Sequence, residues 1–275
     1  MKKLWKFIVT FCLVTALAIS IFPASVLAIQ NGTHDGENHP YVVMCVFDVD
    51  GAPAWRTTGV LISPTIVLTA GHGTYGTTGA RVSTLSYIPR SYQGYPYPGK
   101  WAIEAKAIYT YPDYQAVPGP GLPQFDAYDI GIIVLSKPIK LSGGYARLPV
   151  AGYADALPMK APVYLVGYGV TSQDKGGGIS PYDSWTWDRY RNFAVSELVQ
   201  GQDTLSSMFL KLTADPGQDK GGTTFGDSGG PILKGGTNIV LGLNSFVTNS
   251  NCDGVTYAQR VDRADILNWI NGYLK

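Results

Sequence analysis

Three residues in this chain have the types required for nucleophilic catalysis and sit far apart in sequence: His72, Asp129 and Ser228. Ser228 lies in Gly226-Asp227-Ser228-Gly229-Gly230-Pro231. Glycines on both sides of a serine let the backbone approach a substrate and turn its amides toward it. The hydroxyl itself is a weak nucleophile until a neighbouring base accepts its proton. Of the three histidines, His34 and His39 lie in a polar stretch and read as solvated turn residues. His72 instead ends Thr69-Ala70-Gly71-His72, directly after the apolar run 66–68. That places an imidazole at a strand end, where a rigid scaffold can aim it.

Chain order narrows the chemistry. A Gly-x-Ser-x-Gly turn also occurs in α/β-hydrolases, but there the histidine follows the serine, and this chain has no histidine beyond His72. The acid is expected between His72 and Ser228. Asp129 directly precedes the apolar, β-branched run 130–135, which would anchor its carboxylate beside the imidazole. Asp126 is a nearby competitor in the preceding loop, and Asp129 is preferred because it abuts the strand.

The elements that must hold these residues read as strands. With 33 glycines, 18 prolines and 15% charged residues, the composition favours an all-β fold rich in turns. Short apolar runs at 41–47, 59–62, 66–70, 130–135, 163–167, 208–212 and 239–246 have the length and β-branching of barrel or sandwich strands. Segments 91–100, 111–123 and 176–181 read as loops from their Tyr, Pro and Gly content. One helix is expected over 264–274, with Ile266, Leu267, Ile270, Tyr273 and Leu274 as its apolar stripe and Asp262 as a possible cap. A boundary near 145–155 divides the mature chain into units 29–150 and 151–275.

Residues 1–28 have a different character, with Lys2, Lys3 and Lys6 ahead of the apolar run 7–22 and then Val26-Leu27-Ala28. This is the layout of a secretory signal peptide cut before Ile29, and the run is shorter than the ~20 residues of a membrane span. The expected product is a secreted, extracellular protein with no stable membrane association after cleavage. A net charge of +1 gives no field that would draw nucleic acid. Cys45 and Cys252 are the two cysteines left after the signal, and whether they pair stays open.

Through Leu68-Thr69-Ala70-Gly71-His72, Asp129-Ile130-Gly131-Ile132 and Gly226-Asp227-Ser228-Gly229-Gly230-Pro231, in that order, the chain resembles the trypsin-like serine proteases. The resemblance extends from Ile29-Gln30-Asn31-Gly32 to the terminal helix. It implies two packed antiparallel six-stranded β-barrels with a C-terminal helix, a His72-Asp129-Ser228 triad in the cleft, and an oxyanion hole from the amides of Gly226 and Ser228. It implies a monomeric endopeptidase acting on peptides or proteins, with no metal or cofactor. It further implies an activation ion pair between the Ile29 ammonium and Asp227. The side-chain pocket would involve Gly222, Ser245, Phe246, Val247 and Thr256. Gly222 stands where a trypsin has an aspartate, and Val247 with Thr256 would narrow the pocket toward small or apolar side chains, although Asp219 or Asp253 could restore affinity for a cation. Positions 73 and 57, where the family pairs two cysteines, hold Gly73 and Thr57, and Thr224 replaces the expected partner of Cys252. The alternative is a catalytically inactive homologue that uses the same cleft to bind a partner.

Overall fold

The computed structural model describes residues 29, 31–88, 102–114, 127–170, 172–173, 185–186, 190–199, 207–249 and 252–274. The signal segment 1–28, the loops expected at 91–100 and 176–181, and the 111–123 loop beyond Tyr114 lie outside the described residues.

After a two-residue strand β1 (Thr33–His34), the chain builds a closed antiparallel barrel. Its strands are β2 (Val42–Val49), β3 (Ala52–Leu61), β4 (Ile66–Thr69), β5 (Gly79–Ser83), β6 (Ile103–Thr110) and β7 (Gly131–Leu135), arranged β2-β3-β4-β7-β6-β5. A four-residue helix, α1 (Gly71–Thr74), follows β4. β2, VVMCVFDV, is buried along almost its whole length, as an unbroken apolar run requires when both faces are covered. The polar β6, IEAKAIYT, is half-exposed, which is why apolar runs did not reveal it.

The second half contains β8 (Pro162–Gly167), the small pair β9 (Ser172–Gln173) and β10 (Trp185–Thr186), then β11 (Asn192–Glu197), β12 (Phe209–Ala214), β13 (Pro231–Lys234), β14 (Val240–Val247) and β15 (Gly254–Arg260). Six of these join β1 in a seven-stranded sheet ordered β1-β11-β8-β13-β14-β15-β12. A bridge from Leu198 to Leu212 brings β11 round to β12, so the sheet curls into a half-barrel. The chain closes with helix α2 (Ala264–Asn271), whose Ile266, Leu267 and Ile270 pack into the large apolar cluster dominated by the first barrel. Asp262 does not cap it. The N-cap is Arg263, and the buried Asp262 carboxylate is taken by Arg260 and the amide of Ala154.

A buried polar cluster ties the amino-terminal segment to both halves. Arg191, at 0% exposure, donates to Asp35 Oδ2 (2.7 Å), Gly36 O (2.6 Å) and Val42 O (3.1 Å). His39 is not the solvated turn residue its surroundings suggest. Its side chain is 12% exposed, its Nδ1 is hydrogen-bonded to Asp35, and its ring stacks on Phe193 at 5.4 Å. Burial works to raise the Asp35 pKa, but the bonds from His39 and Arg191 outweigh it and hold the carboxyl below the usual range. His34 is exposed, as expected, and stacks on Tyr190 at 3.9 Å.

Cys45 in β2 and Cys252 just before β15 are both buried and unpaired.

Candidate active site

The site grows from the ends of three strands. β4 delivers its chain into α1, where His72 is the second residue and its side chain is 30% exposed. Just before β7, Tyr128 adopts a left-handed φ of 56°, and the Ile130 amide closes back on its carbonyl at 2.7 Å. This tight turn presents Asp129, fully buried, to α1. The Asp129 carboxylate accepts the His72 amide on Oδ1 (2.7 Å) and His72 Nδ1 on Oδ2 (2.9 Å). A carboxylate can only accept, so Nδ1 carries a proton toward Asp129, and in the neutral ring Nε2 is the nitrogen that holds the lone pair. An imidazole fixed in that tautomer can serve as a base. Asp126, the competitor, lies outside the described residues.

Two residues that the sequence reading did not assign to the dyad come from the other half. Ser245, expected on the substrate-binding strand, donates its hydroxyl to Asp129 Oδ2 at 2.6 Å. Gln259, buried in β15, accepts the Asp129 amide at 3.0 Å and donates to Met208 O at 3.1 Å. Both contacts reach from β14 and β15 in the second sheet to the turn just before β7. No local pattern in the sequence carries that signal.

Ser228 occupies the turn between Gly226 (φ 97°) and Gly229 (φ 76°), both in backbone conformations open to glycine. Gly229 is pressed against the strand that leads to His72, where an added Cβ would collide with Ala70 N, Thr69 Oγ1 and Thr58 O. The Thr58 amide bonds Ser228 O at 2.9 Å, which fastens the serine turn to β3. Within the turn, the amides of Asp227, Gly229 and Gly230 are spent on Thr224 O, Asn244 O and Asp227 O. Those of Gly226 and Ser228 have no partner among the described residues.

Asp227 is fully buried and accepts Gly169 N (2.8 Å), Thr224 N (2.9 Å) and Thr224 Oγ1 (2.9 Å). Burial pushes its carboxyl up to about 6 against the pull of these bonds. Ile29 is an internal residue of the 275-residue chain, and its side chain is buried in the apolar cluster of the second half with Val163 and Leu165. The structure therefore satisfies Asp227 with Thr224 and Gly169 and does not bring Ile29 onto it.

The candidate pocket residues gather around β14 and β15. Val247 is directly opposite Thr256, and Thr256 Oγ1 bonds both the amide (3.3 Å) and hydroxyl (3.2 Å) of Thr223. Gly222 is buried where an added Cβ would strike Ala214. Phe246 stacks on Tyr257 at 4.8 Å. Asp219 and Asp253, the possible cation-binding residues, are both exposed. The position lacking a disulfide is filled by contact. An added Cβ on Gly73 would lie 3.3 Å from the Thr57 methyl, and Trp55 Nε1 donates to Gly73 O at 3.0 Å.

Comparisons with known proteins agree with this architecture. The trypsin family's sequence profile matches residues 30–270. The cercarial protease of Schistosoma mansoni is 27% identical over 270 residues, covering 89% of each chain. HL collagenase has a similar structure (TM-score 0.67, 17% identity, 89% of this chain and 97% of that one), as does human heparin binding protein (TM-score 0.62, 17% identity, 88% and 95%). With a match spanning residues 30–270 of the 275-residue chain, the chain belongs to the trypsin family and is a trypsin-like serine protease.

Proposed function

We propose that this protein is a secreted serine endopeptidase in which His72, Asp129 and Ser228 form the catalytic triad. The observation that carries the reading is the two-point hold of the buried Asp129 on His72, which turns Nδ1 to the carboxylate and leaves the ring partly open to solvent. His72 takes the Ser228 proton as the hydroxyl attacks the peptide carbonyl. Asp129 stabilises the resulting imidazolium without taking its proton. The Gly226 and Ser228 amides receive the developing oxyanion, each worth about 10²–10³-fold in rate. His72 then protonates the leaving amine, and water releases the acyl group by the same steps.

The substrate is a peptide or protein, and the reaction as written needs no metal or cofactor. Its pocket takes an uncharged side chain, small or apolar on the sequence reading. The absence of an aspartate at 222 and the exposure of Asp219 and Asp253 support that choice. Signal cleavage after Ala28 would free the Ile29 ammonium, and its insertion beside Asp227 would complete activation without a further propeptide. The two units 29–150 and 151–275 contribute the His72-Asp129 pair and Ser228 respectively.

Treating the secreted protein with a fluorophosphonate and measuring the intact mass tests this reading. One adduct on the wild type and none on Ser228→Ala is expected, with the mass beginning at Ile29. A folded wild type that takes no label would instead support the inactive, partner-binding alternative.

A further inference from the structure

Thr58, in β3, is fully buried, and each of its polar atoms is bonded to a neighbour. Its amide donates to Ser228 O (2.9 Å), and its carbonyl accepts the hydroxyl of Thr69 (2.8 Å), three residues before His72. Its own hydroxyl lies between two backbone groups of the second half. The Tyr168 amide, just after β8, is 3.0 Å away on one side, and Gly226 O is 3.0 Å away on the other. An amide N–H can only donate and a carbonyl can only accept, so the roles are set. Oγ1 accepts from Tyr168 and gives its single hydrogen to Gly226.

The consequence lies in the peptide planes around the nucleophile. The Gly226 amide belongs to the plane shared with Phe225, whose carbonyl accepts Val170 N at 2.9 Å. The Ser228 amide belongs to the plane shared with Asp227, whose carbonyl accepts Gly230 N at 2.8 Å. Between them stands the peptide that joins Gly226 to Asp227, itself a rigid unit. Its position sets the angle between the two amides. Gly226, at φ 97°, has no side chain to restrict that angle, and glycine has the widest choice of backbone states. The joint is held instead at both edges, its N–H by Thr224 O (3.1 Å) and its carbonyl by the Thr58 hydroxyl. The first hold is local. The second reaches across 168 residues, from the barrel that carries His72 and Asp129.

We propose that Thr58 is a positioning residue for the oxyanion hole: its hydroxyl fixes the peptide between Gly226 and Asp227 so that the Gly226 and Ser228 amides aim at one oxygen. This rests on the triad and oxyanion-hole reading above and adds to it a residue that touches no reacting atom. The same residue ties that aim to the base, because its carbonyl holds Thr69 on the strand leading to His72.

The test compares Thr58→Val, which keeps the shape and loses the hydroxyl, with Thr58→Ser, which keeps the hydroxyl. Thr58→Ala repeats the loss in a smaller side chain. Each is assayed on the peptide p-nitroanilide that the wild type cleaves best, with rates expressed per site titrated by fluorophosphonate, so unfolded material cancels. In Thr58→Val and Thr58→Ala, kcat is expected to fall at least about tenfold, short of the 10²–10³-fold or so that follows loss of a donor outright. KM should stay within about threefold, since the hold matters where the oxyanion develops. The inhibition constant of a peptide aldehyde of the same sequence, whose adduct with Ser228 carries that oxyanion, should weaken by the same factor as kcat/KM. The pH profile should not move, because His72 and Asp129 are untouched, and Thr58→Ser should restore kcat to within about threefold of the wild type. A kcat retained in both hydroxyl-free variants, a loss carried by KM, a shifted pH profile, or a loss that serine does not restore overturns the Thr58 assignment and leaves the triad intact. A folded wild type that takes no fluorophosphonate and cleaves nothing overturns both.

Discussion

Among the described residues, two buried aspartates are hydrogen-bonded to a histidine Nδ1, and their surroundings differ. Asp129 divides its carboxylate between His72 and the Ser245 hydroxyl, and the imidazole stays partly open to solvent. Asp35 shares its carboxylate between His39 and the fully buried guanidinium of Arg191, and its imidazole is packed beneath Phe193. The same two residue types therefore make a candidate general base in one place and a structural joint in the other. What separates them is the company of the carboxylate and the far side of the ring. A histidine backed by acid is a candidate base only where its second nitrogen faces usable space.

The largest expected separation comes from truncating each ring. His72→Ala should lower kcat by about 10⁴-fold or more, leaving thermal unfolding near that of the wild type. His39→Ala should leave the rate of fluorophosphonate acylation unchanged and lower Tm. Equal losses of activity in the two variants would erase the distinction.

Next in size is Arg191→Met, which leaves Asp35 buried with only His39 as a side-chain partner. Removing one member of a buried ion pair typically costs about 3–5 kcal/mol, so chemical denaturation should register a loss of that order. A loss below about 1 kcal/mol, the scale of an exposed pair, would mean that the cluster is not the joint described above.

The smallest effect is its pH dependence. The Asp35 pKa is lowered in the folded chain, so its contribution is present above the unfolded value of 3.8 and lost as the pH falls through the folded one. The stability gap between wild type and Arg191→Met should therefore narrow below about pH 4. A gap that is constant from pH 7 to 3 would assign the acid dependence to another group.

Much of this was legible in the sequence, and the failures share a cause. Strands such as β2, β4, β7 and β14 announced themselves because their apolar runs follow from burial of the same residues. β15, GVTYAQR, did not, since its buried Thr256, Gln259 and Arg260 are satisfied by partners elsewhere in the chain. Asp129 could be selected by its position before a strand, whereas the braces from Ser245 and Gln259 span 116 and 130 residues. His39 was misread for the same reason: Arg191 bonds Asp35 across 156 residues. Hydrophobic pattern is written locally, but the satisfaction of a buried polar group is not.

The two buried, unpaired thiols carry a consequence for how the chain is made. Cys45 lies in the first barrel and Cys252 in the second half, so no covalent link forms between the described cysteines. The positions where the family resemblance placed bridges are held by Thr57 against Gly73 and by Thr224 bound to Asp227. Maturation of the described fold thus asks nothing of thiol oxidants or disulfide isomerases. Its architecture should be equally attainable in a reducing cytosol and beyond the cell, and host choice for its production is free of that constraint.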